Sequence, residues 1–446
     1  MSHPNSHRPS VKTALVLAGG GLTGAVYEIG ALRAMDDLLV DLDTSQFDVY
    51  VGTSAGAIVS SFLANGITPA ELMRAMDNDH PFLRGPRARD LLSPNVREMA
   101  TRTLGLPMTL ASIARYYMRN WRDLRPTEVV SSLSEALPSA LYTNDPLAAY
   151  MHKTILAAGG SDDFRKLDRE LYIIATDLDT GQRAVFGEGH LADIPISQSV
   201  AASSAIPILC RPVRIQGRDY VDGVVRGTAS LDVAIEHGAQ VVVVVNSAVP
   251  LDNSPHNPAL ISDGRRRHLA DQGMGAVAAQ VYRTWFHSGL VYHIKQVQRR
   301  HPDVTVILIE PPATDRSMFF FNNMRYSARM TIAQHGYESV TVNLARDYHK
   351  FRDMLARYGI TITPKHVNRE LELMRRKQND PDTIRAVMEN TGVAEEPGVP
   401  DGVDAKADGQ PLADLASASQ QLERTLRDLD TALSKRSSSR RAASAN

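Results

Sequence analysis

Phe47 to Ala64 reads FDVYVGTSAGAIVSSFLA. The run Phe47 to Val51 is apolar and rich in β-branched residues, as a buried strand is. Ala55 to Ala64 carries apolar and small residues at every turn of a helix, and Gly66 stands where a left-handed residue would end it. Between the two lies Gly52-Thr53-Ser54-Ala55-Gly56, a G-x-S-x-G pentapeptide. A serine on a tight strand-to-helix turn is thrust out of the carboxyl edge of a sheet, and small flanking residues let the strained backbone pass its neighbours. The helix behind it aims its positive end at that serine. The plain alternative is a glycine-serine turn that caps a helix; the strand and helix on either side favour the elbow.

The same alternation extends outward. Lys12 to Ala18 (KTALVLA) is an apolar run that stops at three glycines, and Ala25 to Leu39 places Val26, Ile29, Leu32 and Met35 at helical spacing. Further strands are expected at Leu171 to Thr176, Val213 to Gln216 with Tyr220-Val221 as a hairpin, Gln240 to Asn246, and Val304 to Ile309. Unbroken β-branched runs need cover on both faces, so the expected fold is α/β: a mainly parallel central sheet flanked by helices in three layers. Residues 1–10 read as a loose N-terminus and 11–345 as the main domain, interrupted over 80–150 by a helical cap. Residues 346–393 read as a helical extension and 394–410 (AEEPGVPDGVDAKADGQ) as a linker. Residues 411–434 read as one amphipathic helix with Leu415, Leu422, Leu426, Leu429 and Leu433 near heptad spacing, suited to bracing the chain or to self-association. Residues 435–446 read as a disordered basic tail.

Composition narrows the function classes. The chain has 446 residues, 43% hydrophobic and 22% charged, a globular balance that excludes wholesale disorder. Lys+Arg 49 against Asp+Glu 50 leaves a net charge of -1, so no nucleic-acid partner is expected. The single Cys210 excludes an intrachain disulfide and any cysteine-based metal cluster; it reads as a small buried hydrophobe. No apolar run approaches the roughly 18 residues of a membrane span, and the first residues lack the apolar core of a secretory signal. The expectation is a soluble cytoplasmic chain with peripheral contact at the inner membrane face. That contact is read in residues 84–125, where nine arginines stand against Asp90, Glu98 and Asp123. Leu110, Ile113, Ala114, Tyr117 and Trp121 share one helical face there, fitting an anionic bilayer or a cap helix packed on the main domain. Met318 to Phe321 is a second apolar cluster, read as core or as an acyl-binding surface.

Gly19-Gly20-Gly21-Leu22-Thr23-Gly24 also follows a strand and opens a helix. It satisfies G-x-G-x-x-G, with Asp41 and Asp43 as candidate ribose partners of a dinucleotide. Its other use is as a nest of N–H groups for an anion, which includes a tetrahedral intermediate. Two such loops, one holding a serine, suit acyl transfer better. The serine needs a base. His237 precedes Gly238 at a helix end and reads as a cap; His190, His287, His293, His301 and His335 fall in turns or helical patterns. Asp222 follows the hairpin and precedes Gly223, which permits close approach of another backbone, although a turn is the ordinary fate of Asp-Gly. Ser203 and Ser204 read as structural, and Pro207, Ile208 and Leu209 as an apolar wall for an acyl pocket.

Three separated blocks resemble the patatin-like phospholipase family of serine lipid acyl hydrolases: Gly19 to Gly24 (GGGLTG), Gly52 to Gly56 (GTSAG), and Ala202 to Gly223 (ASSAIPILCRPVRIQGRDYVDG). Ala175 to Gly181 (ATDLDTG) is a supporting fourth. The likeness covers roughly residues 12–250 and weakens towards 345. It implies Ser54 as nucleophile and Asp222 as base in a Ser-Asp dyad without histidine. Gly20 and Gly21 would supply oxyanion-hole N–H groups, Gly19 and Gly24 would shape that loop, and Gly52 and Gly56 would form the elbow. The implied substrate is a lipid or phospholipid ester, with no metal and no cofactor. Thr23 stands where many relatives carry Lys or Arg, and Val224 where a small residue is common. The competing expectation is a catalytically weak lipid-binding or scaffold protein on the same fold.

Overall fold

Eight strands form one sheet. They are β1 (Thr13–Leu17), β2 (Val49–Thr53), β3 (Glu170–Asp177), β4 (Arg183–Phe186), β5 (Val213–Ile215), β6 (Arg218–Asp222), β7 (Val241–Val245) and β8 (Thr305–Ile309). The computed structural model describes residues 11–391, except 41, 78, 103–107, 109–110, 112–114, 116–117, 119–137, 263–264 and 321–325. The hydrogen-bonded order is β8-β7-β1-β2-β3-β6-β5, with β4 also on β3. β8, β7, β1, β2 and β3 run parallel; β4, β5 and β6 join by antiparallel pairing.

Alternation along these strands sorts side chains onto two faces, as the period of two requires. Leu15, Leu17, Tyr50, Ile173, Val243 and Val245 are buried on one face, with α1 (Gly21–Leu38), α2 (Ala55–Ala64) and α3 (Pro69–Met76). That layer also holds α4 (Asp145–Ala157) and α5 (Ile196–Ser203). Val16, Val51, Ile174, Val242 and Val244 are buried on the other face, with α6 (Leu231–Glu236) and the second half of α7 (Met274–Arg300). The architecture is therefore the expected three-layer α/β fold with a mainly parallel sheet. Among the described residues no helix is long and apolar enough to cross a membrane.

Two boundaries differ from the sequence reading. β2 runs to Thr53 rather than stopping at Val51, because Gly52 pairs with Leu17 on one side and Ile173 on the other. Helix α1 begins at Gly21, four residues before Ala25, since the glycine loop itself winds into the first turn. The C-terminal helices are present as α8 (Tyr326–Ala356), α9 (Lys365–Arg376) and α10 (Pro381–Glu389). The boundary expected at 345/346 falls inside α8, and Val367, Leu371, Ile384 and Met388 join the main core. The insertion is closed at its neck by an antiparallel pair, Ser93 with Thr143 and Pro94 with Tyr142. Leu110, Ile113, Ala114, Tyr117 and Trp121 lie outside the described residues, as do the linker, the leucine helix and the tail at 394–446.

Helices α1 and α8 cross with their backbones in contact. A Cβ at Gly30 would sit 2.0 Å from the Ala333 carbonyl oxygen, and one at Gly336 would sit 2.2 Å from that of Tyr27. Neither neighbour is a side chain that can swing away. Gly30→Ala and Gly336→Ala are each expected to lower stability by about 2 kcal/mol. The check is a lower urea midpoint with an unchanged m value.

Candidate active site

Strand β3 fixes where the site forms. Ile173 and Ile174 pair with Gly52 and Thr53 of β2 on one edge, and with Phe186 and Val185 of β4 on the other. Ala175 and Thr176 pair with Ala184 and Arg183 of β4, and also with Asp222 and Val221 of β6. A strand has only two edges, so β6 occupies the edge used by β2 and meets it nose to nose. Ser54, one residue past Thr53, thereby faces Asp222. The Ser54 hydroxyl donates to Asp222 Oδ2 at 2.6 Å, across 168 positions of sequence.

Ser54 is the N-cap of α2 at φ 55, ψ -117. L residues avoid that region, at a cost of order 1–3 kcal/mol that the surroundings must hold in place. Two serines do so. Ser203 Oγ accepts the Ser54 N–H at 2.8 Å and donates to the Ile174 carbonyl at 2.6 Å. Ser204 Oγ donates to the Ser54 carbonyl at 3.3 Å. Ser203 thus ties the elbow to β3 and Ser204 ties it to the end of α5, which is the structural use expected of this pair. Gly52 and Gly56 pack against neighbouring main chain: a Cβ would lie 2.6 Å from Ala57 Cα in the first case and 2.2 Å from the Leu17 carbonyl oxygen in the second.

The sheet register brings the glycine loop to the same level. Leu17 pairs with both Gly52 and Val245, so Gly19, Ser54 and Ser247 stand two residues beyond one rung. The Gly19 N–H is spent on the Thr228 carbonyl at 3.2 Å, and that of Gly24 on the Gly20 carbonyl at 3.1 Å. Their part is steric: a Cβ at Gly19 would meet Val224 Cγ1 at 2.2 Å and Ser54 Cβ at 3.3 Å. The N–H groups of Gly20 and Gly21 donate to no described residue. They open α1, whose first turn has neither a side-chain cap nor an acid. Helix α2 likewise starts uncapped and without acids. Two positive helix ends therefore converge on Ser54. Sequence reasoning missed Thr228 and Ser247. Ser247 Oγ is buried without a partner among the described residues, 2.0 Å from where a Gly20 Cβ would be. A serine after an apolar strand carries no signal of that contact.

Asp222 is 1% exposed. Its Oδ1 accepts the Val224 N–H at 3.0 Å. Burial pushes its carboxyl up to about 7, against the opposing pull of the hydrogen bonds from Ser54 and Val224. No histidine hydrogen-bonds to Ser54 or Asp222 among the described residues. His237 caps α6, with Nε2 2.6 Å from Glu188, and His335 pairs with Asp315 at 2.7 Å. Asp43 caps the turn at Thr44–Gln46 through the Ser45 N–H and is no ribose partner; Asp41 lies outside the described residues. The expected apolar wall at Pro207 to Leu209 is instead a rim: Ile208 is 78% exposed at φ 70, because a turn from Cys210 N–H to the Ile206 carbonyl folds the loop outward. Cys210 is buried and its thiol is pushed up to about 11 by that burial. Met318 and Phe319 are buried, and Phe320 is at the surface.

Residues 15–235 match the family model for the patatin-like phospholipase, and the chain belongs to that family. A probable lipid hydrolase, 463L of Invertebrate iridescent virus 6, is 22% identical over 232 residues, 52% of this chain and 66% of that protein. The match thus spans just under two thirds of that relative. Among solved structures, VipD from Legionella pneumophila aligns with TM-score 0.34 and 15% identity over 75% of this chain and 67% of that one. The type III effector ExoU aligns with TM-score 0.27 and 13% identity over 83% and 64%. Likenesses at that level carry no weight for substrate or mechanism.

A carboxyl held above its unfolded range makes folding pH-dependent. The stability it contributes is full below about 3.8 and is lost as pH rises through about 7. At about 1.4 kcal/mol per pH unit that span amounts to ~4 kcal/mol. Asp222→Asn is therefore expected to match the parent in urea unfolding at low pH, to exceed it increasingly between about pH 3.8 and about 7, and to keep a constant advantage above that.

Proposed function

We propose that this chain is a lipid acyl hydrolase working through Ser54 and Asp222. The observation that carries the reading is the 2.6 Å bond from a strained serine hydroxyl to a carboxylate removed from water. Asp222 takes the hydroxyl proton as Ser54 Oγ attacks the ester carbonyl. The oxyanion that forms faces the Gly20 and Gly21 N–H groups, each such donor being worth about 3 kcal/mol of barrier. Collapse breaks the bond to the alcohol, which leaves with the proton from Asp222. Water then gives a proton to Asp222, attacks the acyl-serine and releases the fatty acid as Ser54 recovers its proton.

The acyl chain has an apolar place to go. A cavity between α1 and α2 starts at Leu22, beside the glycine loop, and at Ile58, one turn past Ser54, and continues to Phe62, Leu72 and Leu83. A second apolar cavity, lined by Leu42, Phe47, Val241 and Phe351, sits at the amino ends of β2 and β7, away from Ser54. The first is the one suited to the acyl group, and a lipid is the substrate class its lining fits.

Ser54→Ala and Asp222→Asn are each expected to cut hydrolysis of a short p-nitrophenyl ester by about 10³ or more while keeping the fold. A fluorophosphonate should label the parent and not the Ser54→Ala chain. Full activity in Ser54→Ala would reject the mechanism. Because Asp222 acts as a base only when ionised, kcat/KM should rise with pH through about 7 and then level off. A tryptophan in place of Ile58 should depress long-chain esters about tenfold more than short ones, read as a chain-length profile.

A further inference from the structure

Helix α7 is two helices in function. Its second half buries Leu290, Ile294 and Val297 on the sheet. Its first half leaves the sheet, resting Ala276 and Ala279 on a satellite cluster of Leu251, Leu260 and Phe319. The crossover point is Phe286, whose carbonyl accepts from Thr228 Oγ1 at 3.3 Å, and Thr228 is the residue that holds the Gly19 N–H. Helix α7 leads into β8, so it runs against the parallel strands and its first half projects beyond their carboxyl edge. At 1.5 Å per residue, the segment from Met274 to Phe286 is about 18 Å long.

The outer face of that arm has no partner among the described residues. Met274, Val277, Val281 and Trp285 follow one helical stripe at 42–88% exposure, and Tyr292 continues it. Residues 272–302 contain no acid. Arg283 is turned inward, its guanidinium donating to the Val249 and Met318 carbonyls, and Lys295, Arg299 and Arg300 lie on the other half of α7, so the cations nearest the stripe are those that precede the arm. Exposed Arg265, Arg266 and Arg267 directly precede the arm. Across the mouth, Ile206, Ile208 and Val225 are exposed on the loops that flank Asp222. An isolated exposed residue means nothing, but a tryptophan-bearing apolar stripe entered by three exposed arginines, at the same carboxyl edge of the sheet as the rim of the site, fits one surface.

We propose that the first half of α7 and the Ile206–Ile208 loop form a docking face for an anionic lipid bilayer, so that the chain sits mouth-down on its substrate's own interface. The proposal deepens the lipid-hydrolase reading, and its test separates the two. Binding is measured with the full-length Ser54→Ala chain on phosphatidylcholine vesicles with and without phosphatidylglycerol. Hydrolysis is measured separately, on a soluble short ester, in the active chain. Val281→Asp with Trp285→Asp should weaken binding to anionic vesicles by about tenfold or more and leave kcat/KM on the soluble ester unchanged. In a Trp121→Phe background, Trp285 emission should shift to the blue on adding anionic vesicles, less so at high salt. Vesicle binding unaffected by the double substitution overturns the proposal. So does Trp285 emission that is already blue without lipid and is released by deleting 411–446, which would place the leucine helix on the stripe. A concentration-dependent mass abolished by the same double substitution would assign the stripe to a second copy and overturn it equally.

Discussion

Two strands stop against each other on one edge of β3, and the chemistry available at the site follows from where they stop. β2 arrives in parallel and delivers Ser54; β6 arrives from the opposite direction and delivers Asp222 at the next rung. The junction tolerates no side chain at Gly223, where a Cβ would lie 2.3 Å from the Ile174 carbonyl oxygen and 2.9 Å from Thr53 Cγ2. The contact between hydroxyl and carboxylate is direct, so the proposed mechanism needs no third group to relay the proton. A slip of one residue in either register would turn one of the two side chains to the other face of the sheet.

The energetics of the pair are a contest that desolvation wins. Hydrogen bonds from Ser54 and Val224 favour the ionised carboxylate, and burial opposes it more strongly, leaving the group near 7 instead of 3.8. In water an aspartate is too weak a base to draw a proton from serine. In the proposed mechanism the same burial that destabilises the ionised native state raises proton affinity where a proton must be received. The two uncapped helix ends have the complementary part, since they favour negative charge on the substrate side of Ser54 and leave Asp222 itself to its two donors.

Parallel strands covered on both faces announce themselves, and β1, β7 and β8 lie within a residue of their apolar runs. Punctuation by glycine was less legible. Gly52 and Gly21 read as loop, yet one pairs between two strands and the other starts a helix, because tertiary pairing overrides a weak local preference. Strand β4 went unread: Arg183–Phe186 is too short for its alternation to stand out, and without it the shared edge of β3 cannot be deduced. Ser54 stood out from its strand-turn-helix context, and Ser203 and Ser204 read as structural, whereas Asp222 was singled out only by the family resemblance, since an Asp-Gly pair alone reads as a turn. Thr228 and Ser247 were not legible, since their contacts depend on where β7 and α7 come to rest. Helix α7 hid its exposed stripe for a related reason. It is apolar on its sheet-facing side in one half and on its outer side in the other, so no single periodic face emerges along its length.

The dryness that sets Asp222 has one open side. Sheet, elbow and hairpin cover the carboxylate from below, and in the proposed mechanism a substrate would reach Ser54 from the remaining side. A rim of polar side chains would keep that side hydrated and hold the carboxyl closer to its ordinary range. The rim found here exposes Ile206, Ile208 and Val225. Ile208 does so at φ 70, a conformation that β-branched residues avoid. An apolar rim of this kind is costly in bulk water and becomes favourable when a lipid surface seals it, because apolar area then leaves water on both partners. Asp222 is already dry without such a surface, at 1% exposure, so in the proposed docking the lipid would seal the mouth over Ser54 and leave the proton affinity of the base to the fold itself.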